Sequence, residues 1–211
     1  MQYKNSHKMK NIIIVLSLIL FGLHIQAQSF DKDLASFKKS IEQEKNGEYS
    51  SAVSTLKKTY QENSYEYNMR LGWLDYLAGQ YTESSTYYHK AIILMPLSIE
   101  ARFGLIYPQL ALGKTTQAIE TYKEILKISP NDTQANYRLG LIYYQQAKYK
   151  EAEIRLKKVI NLYPFDYDTV ILLAWNSLQM GKTNEAKVLF QKALLYRPTD
   201  ESATEGLRQV N

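Results

Sequence analysis

Four of the five prolines in this chain, Pro96, Pro130, Pro164 and Pro198, stand 34 residues apart, and that period constrains the fold more than any other feature. Further series keep the same step. Gly79, Gly113, Ala147 and Gly181 form one; Ser84, Ala118, Ala152 and Ala186 another; Tyr88, Tyr122, Leu156 and Phe190 a third. Ser64, Ser98, Asp132, Asp166 and Asp200 add a fifth, its last four members two residues behind the prolines. A strict period of this length makes each unit one supersecondary element. Such an element is too small to bury its apolar face alone and is stable only when stacked on its neighbours.

The residue types fit two helices per unit. Ser and Asp are helix N-caps, whose side-chain oxygen accepts from an orphan amide of the next helix. Proline just before them ends the preceding helix, since it lacks the amide and clashes in a helix interior. The glycines sit in the turn inside each unit, where a left-handed backbone is cheap only without a Cβ. Ala147 departs from that series, so its turn is expected to be strained or differently shaped. The small residue and the large one four later share a face of the second helix, which lets two helices approach and then fills the groove.

With Asn136-Tyr137-Arg138-Leu139-Gly140-Leu141-Ile142-Tyr143, followed by Tyr149, Ala152, Leu156 and Pro164, the sequence resembles the tetratricopeptide repeat family. Units run over 65–98, 99–132, 133–166 and 167–200. Residues 28–64 hold a lead-in and a divergent first unit marked by Gly47, Tyr49, Ala52 and Leu56, shorter by two residues and lacking the proline. Residues 201–211 read as a truncated helix anchored by Leu207, the polar cap that a repeat array needs. The fold class expected is all-α: a right-handed superhelical solenoid of about five antiparallel helix-turn-helix units plus a short C-terminal capping helix.

The resemblance implies that the first helix of each unit lines a concave side. Residues seven, eight and eleven of the unit should pack inward, and residues five, nine and twelve form a second stripe at i, i+4, i+7 spacing. That stripe reads Met69, Trp73, Tyr76; Phe103, Tyr107, Leu110; Tyr137, Leu141, Tyr144; and Ile171, Trp175, Leu178. An exposed aromatic stripe of this kind is a partner-binding groove, because aromatic anchors dominate interface energetics and large apolar patches seldom stay bare. The alternative is that these side chains are consumed between repeats. The family's carboxylate-binding clamp, which takes acidic chaperone tails, uses asparagine at the ninth place and lysine at the fifth. Trp73, Tyr107, Leu141 and Trp175 hold the ninth place here, and Met69, Phe103, Tyr137 and Ile171 the fifth, so that clamp is not expected. Pro108, the proline out of phase, falls inside a first helix and should remove one backbone hydrogen bond beside Tyr107.

Residues 1–27 read as an export signal: Lys4, Lys8 and Lys10, an apolar run from Ile12 to Leu23, then Ala27 before a cut at Gln28. Met9 is a second candidate start, and an uncleaved N-terminal anchor is the alternative to cleavage. Twelve helical residues rise only ~18 Å against a hydrocarbon core of ~30 Å. Removing those lysines leaves 23 basic against 21 acidic residues, a balance of +2 instead of +5. That gives no reason to expect nucleic acid as a partner. The chain has no Cys, and of its three histidines only His89 lies beyond the signal, so no Cys-ligated zinc, thiol nucleophile or His-paired metal site is available. No phosphate loop or nucleophile elbow appears, and no cofactor is implied. The expected role is a non-catalytic scaffold of the periplasm or extracellular space, binding a peptide or helix of an envelope protein. A glycan- or lipid-associated binding protein and a subunit that self-associates through its repeat ends are the alternatives.

Overall fold

The computed structural model describes residues 30–210, and all regular structure among them is α-helical; the expected export segment lies outside them. Eleven helices follow one another: α1 (30–45), α2 (Tyr49–Lys57), α3 (Tyr65–Leu77), α4 (Tyr81–Leu94), α5 (Ile99–Ala111), α6 (Thr115–Ile128), α7 (Thr133–Gln145), α8 (Tyr149–Leu162), α9 (Tyr167–Gln179), α10 (Thr183–Tyr196) and α11 (Glu201–Gln209). From α3 to α10 the bounds repeat at the 34-residue step, first helices of 13 residues alternating with second helices of 14. The described residues divide into two compact units, the first ending at Pro96 and the second beginning at Leu97, with the boundary at one of the periodic prolines.

Local chemistry sets these bounds. Ser64, Ser98, Asp132, Asp166 and Asp200 each accept, through the side chain, from the backbone amide three residues on. Each first helix ends in a paired closure: the amide of the turn residue donates to the carbonyl three back, and the next amide to the carbonyl five back. Gly79 to Tyr76 with Gln80 to Asp75, and Gly181 to Leu178 with Lys182 to Ser177, are examples. This closure needs a left-handed residue. Glycine supplies it at φ 76° (Gly47 and Gly79), 70° (Gly113) and 72° (Gly181), whereas Ala147 adopts φ 57°. The strained turn expected at Ala147 is therefore present with its two hydrogen bonds intact, to Tyr144 and from Lys148 to Tyr143.

In the first unit, Ala52, Val53, Leu56, Tyr67, Leu71 and Leu74 form the core, with Phe37, Tyr60 and Tyr87 packed against it. α2 has 9 residues where later second helices have 14, which is where the divergent unit is cut short. In the second unit one buried cluster runs from Ile106 to Ala152 and another from Leu156 to Ala203. Residues seven, eight and eleven of all four repeats are buried, as expected. So is the series of small residues and that of their large partners. A fully buried leucine such as Leu71 or Leu139 stabilises by ~2 kcal/mol. Gly72 and Gly140 show why position eight favours a small residue: an added Cβ would lie 3.0 Å from the Tyr88 ring and 2.9 Å from Leu156. α11 covers the end of the second unit. Leu207 packs there half-buried, but the tight contact is made by Gly206, whose added Cβ would come within 2.2 Å of Phe190. Pro108 is buried within α5, and that helix keeps the length and register of its counterparts.

Candidate partner-binding face

The twelve stripe residues all lie on first helices, α3 in the first unit and α5, α7 and α9 in the second. Their exposure is graded. Tyr107 and Leu110 are exposed, at 45% and 41%. Met69, Trp73, Tyr76, Phe103, Tyr137, Leu141, Tyr144, Ile171, Trp175 and Leu178 are half-buried. Part of each half-buried side chain is therefore used internally. Tyr137, Leu141, Tyr144, Ile171, Trp175 and Leu178 all pack against the C-terminal cluster of the second unit. Phe103 meets Tyr122 edge-on at 6.4 Å, and Tyr144 meets Tyr149 at 5.8 Å.

The two tryptophans are further tied down. Trp73 lies 5.7 Å from the Tyr76 ring and donates its indole N–H to Glu44 Oε1 at 2.7 Å. The other oxygen of Glu44 pairs with Arg70. Trp175 packs edge-on against Phe190 at 5.0 Å and donates to Ser202 Oγ at 2.9 Å. Both indoles thus combine a half-open face with a fixed orientation, which lowers the entropy lost when such a ring binds a partner. Burial raises the phenol pKa of Tyr137, with Asp168 adding to it, and burial also raises that of Tyr144. These hydroxyls are neutral donors at physiological pH, suited to hydrogen bonding at an interface.

Glu44 belongs to this face and was missed in the sequence, because it stands in the divergent first unit at the twelfth place, held elsewhere by Tyr76, Leu110, Tyr144 and Leu178. A second missed group is the fourth place of the repeat. Asn68 donates to the carbonyls of Glu62 and Ser64, and Asn136 to those of Pro130 and Asp132. Arg102 donates to the Ser98 carbonyl at 3.0 Å and pairs with Glu124 at 3.1 Å. These side chains fasten the loop between repeats to the helix that carries the stripe. The signal was available: Asn68 and Asn136 are two periods apart. Val170 breaks this series.

His89 is exposed on α4. Among the described residues no group of three or more His, Cys, Asp or Glu could hold a metal ion. No helix among them is long and apolar enough to cross a membrane.

Three tetratricopeptide repeat models match the chain, over residues 69–133, 109–175 and 167–200, and together they run without a gap from 69 to 200. No curated protein matches significantly. Among solved structures, a tetratricopeptide repeat protein from Parabacteroides merdae ATCC 43184 is similar, with a TM-score of 0.73 at 22% identity, covering 85% of this chain and 72% of that one. A MamA protein aligns with a TM-score of 0.69 at 20% identity, over 80% of this chain and 93% of the other. MamA residues 41-end from Desulfovibrio magneticus RS-1 align with a TM-score of 0.68 at 20% identity, over 81% and 98%.

Proposed function

The chain belongs to the tetratricopeptide repeat family, and from that premise we propose that it is a non-catalytic scaffold of the cell envelope that holds a peptide or helix of a partner protein against its first helices. Repeats of this family are protein–protein interaction modules; the envelope location and the face used are the proposal. One observation carries the choice of face. The inward places seven, eight and eleven are buried in every repeat, while the aromatic and apolar residues at places five, nine and twelve are half-buried or exposed. Within each unit these side chains reach solvent from packed helices, the arrangement expected of interface anchors. The lysine-rich start and apolar run of residues 1–27 support export.

Tyr107 and Leu110 are the stripe residues with most surface to offer. Photocrosslinking from position 107 in native envelopes should trap a defined partner, whereas the same crosslinker at Thr86, exposed on a second helix, should not. Tyr107→Ala together with Leu110→Ser should abolish that capture while leaving helicity unchanged. Equal crosslinking from both positions, or unchanged capture by the double variant, rules out this face. Mass spectrometry of the mature protein tests the location separately: a chain beginning at Gln28 supports export with cleavage.

A further inference from the structure

Two hairpin junctions hold the same place in the repeat and carry different charges. Where α8 meets the α9–α10 turn, the chain closes a network of its own. The Lys182 ammonium lies 2.6 and 2.7 Å from the two Glu153 oxygens, and Lys157 lies 2.6 Å from Glu153 and 3.1 Å from Glu185. The earlier junction, between α2 and the α3–α4 turn, aligns with it through the buried pairs Ala52 with Ala152 and Leu56 with Leu156. There Lys57 and Glu83 keep the places of Lys157 and Glu185. Gln80 replaces Lys182, Val53 replaces Glu153, and a carboxylate reappears as Asp75 at the place of Ser177. A carboxylate is thus present on the neighbouring helix instead, and one of the two ammonium groups is gone.

Asp75 is 2% exposed, and its Oδ2 has no hydrogen-bond partner. At this place in two other repeats the chain uses a neutral pair: Gln43 accepts from Thr55 at 2.8 Å and Gln109 from Thr121 at 3.0 Å. The residue in the threonine's place is Tyr87, whose ring turns to meet Tyr60 at 5.6 Å. The Lys57 ammonium sits over the Tyr87 ring at 5.7 Å instead of pairing with Asp75. Asp75 thus lines a cleft of ≈ 290 Å³ with Ser50, Ser54, Lys57, Gln80 and Glu83. Burial pushes its carboxyl up to about 6. A buried carboxylate without a donor is costly, and a ligand that supplies the donor recovers that cost on binding.

We infer that this cleft binds the primary ammonium of a lysine side chain on a partner protein, seated where Lys182 sits in the later junction and donating to Asp75. The buried position of Oδ2 calls for a long, narrow donor, which a lysine stem provides. Two carboxylates beside one ammonium leave the lining negative, and they are too few to replace the hydration shell of a divalent ion. This surface is separate from the first-helix face, so either reading can fail alone.

The test is a titration of the isotope-labelled protein with N-acetyl-lysine amide, followed by NMR, with N-acetyl-norleucine amide as the uncharged control. Shifts should localise to the amides of Val53, Ala78 and Gln80 and to the Asp75 carboxyl carbon, with norleucine giving none. Asp75→Asn should weaken binding by about tenfold, the size of one hydrogen bond to a charged group. Gln80→Lys should abolish it by restoring an internal ammonium. Circular dichroism checks that both variants fold. Absence of localised shifts, equal binding by Asp75→Asn, or equal response to norleucine overturns the inference.

Discussion

The α3–α4 and α9–α10 hairpins are built on one template, yet they place polar atoms in their interiors differently. Both carry a side-chain N-cap, Ser64 or Asp166, a left-handed glycine turn and a buried ring on the second helix, Tyr88 or Phe190. In α9, Thr169, Asn176 and Ser177 each leave a buried side-chain oxygen without a hydrogen-bond partner, and all three are neutral. In α3, Tyr67 and Leu74 stand at the places of Thr169 and Asn176, and the orphan at the place of Ser177 is a carboxylate oxygen of Asp75, together with an unpartnered Nη2 of Arg70. A neutral orphan costs ~1–3 kcal/mol, whereas an ionised one responds to pH and to any cation that can reach it. At the one place where both hairpins bury an unpartnered oxygen, Asp75 and Ser177, residue identity decides whether that burial is inert or responsive.

The strongest way to break this comparison is at the shared ring position. Phe190→Ala should cost ~4 kcal/mol in a denaturant melt, since it empties a fully buried site packed on Trp175 and Gly206. Tyr88→Ala, facing Gly72, should cost a similar amount, and a much smaller loss would mean the two hairpins are not packed alike.

Next comes the charge. The Asp75 pKa is raised to about 6 by burial, countered by Lys57 and reinforced by Glu83. The folded protein therefore holds a proton that the unfolded chain releases at lower pH. Stability present below the ordinary carboxylate pKa should fall as pH rises through about 6, by up to ~3 kcal/mol. Asp75→Asn should flatten that decline, and Ser177→Ala should leave the pH profile unchanged. Melts between pH 4 and 8 decide it.

Loop fastening gives a smaller effect. Asn136→Ala strands the Pro130 and Asp132 carbonyls and should cost ~2 kcal/mol, as should Asn68→Ala in the first unit. The least effect is expected at Ala147, where glycine relieves a left-handed φ of 57° and should stabilise by ~1 kcal/mol. A thermal melt that fell instead would show that this turn is not strained.

Much of the fold was legible because its signals are local. A Ser or Asp ahead of a helix, a glycine in the turn and a proline after it act through the nearest backbone groups, so their spacing alone marked the caps and turns. The inward residues followed from helical geometry. The stripe was legible as a set of residues but not as a surface. Whether Trp175 is bare depends on Ser202 and Phe190, neither of which its own helix specifies. Glu44 was hidden because the first unit departs from the period near its end, and Trp73 is oriented by it across 29 residues of chain.

The sequence by itself determined the repeat, its register, the caps and the one strained turn, since each rests on contacts within a few residues. Tertiary structure decided exposure and charge environment. Tyr107 is exposed while Trp73 and Trp175 are half-buried, although all three hold the ninth place of the repeat. Asp75 Oδ2 lacks a hydrogen-bond partner while Glu153 is paired, because Lys182 comes to Glu153 from a helix turn 29 residues away and Gln80 brings no charge to Asp75. Solvation and pairing are set by what neighbouring helices place nearby, and a single period of sequence does not contain its neighbours.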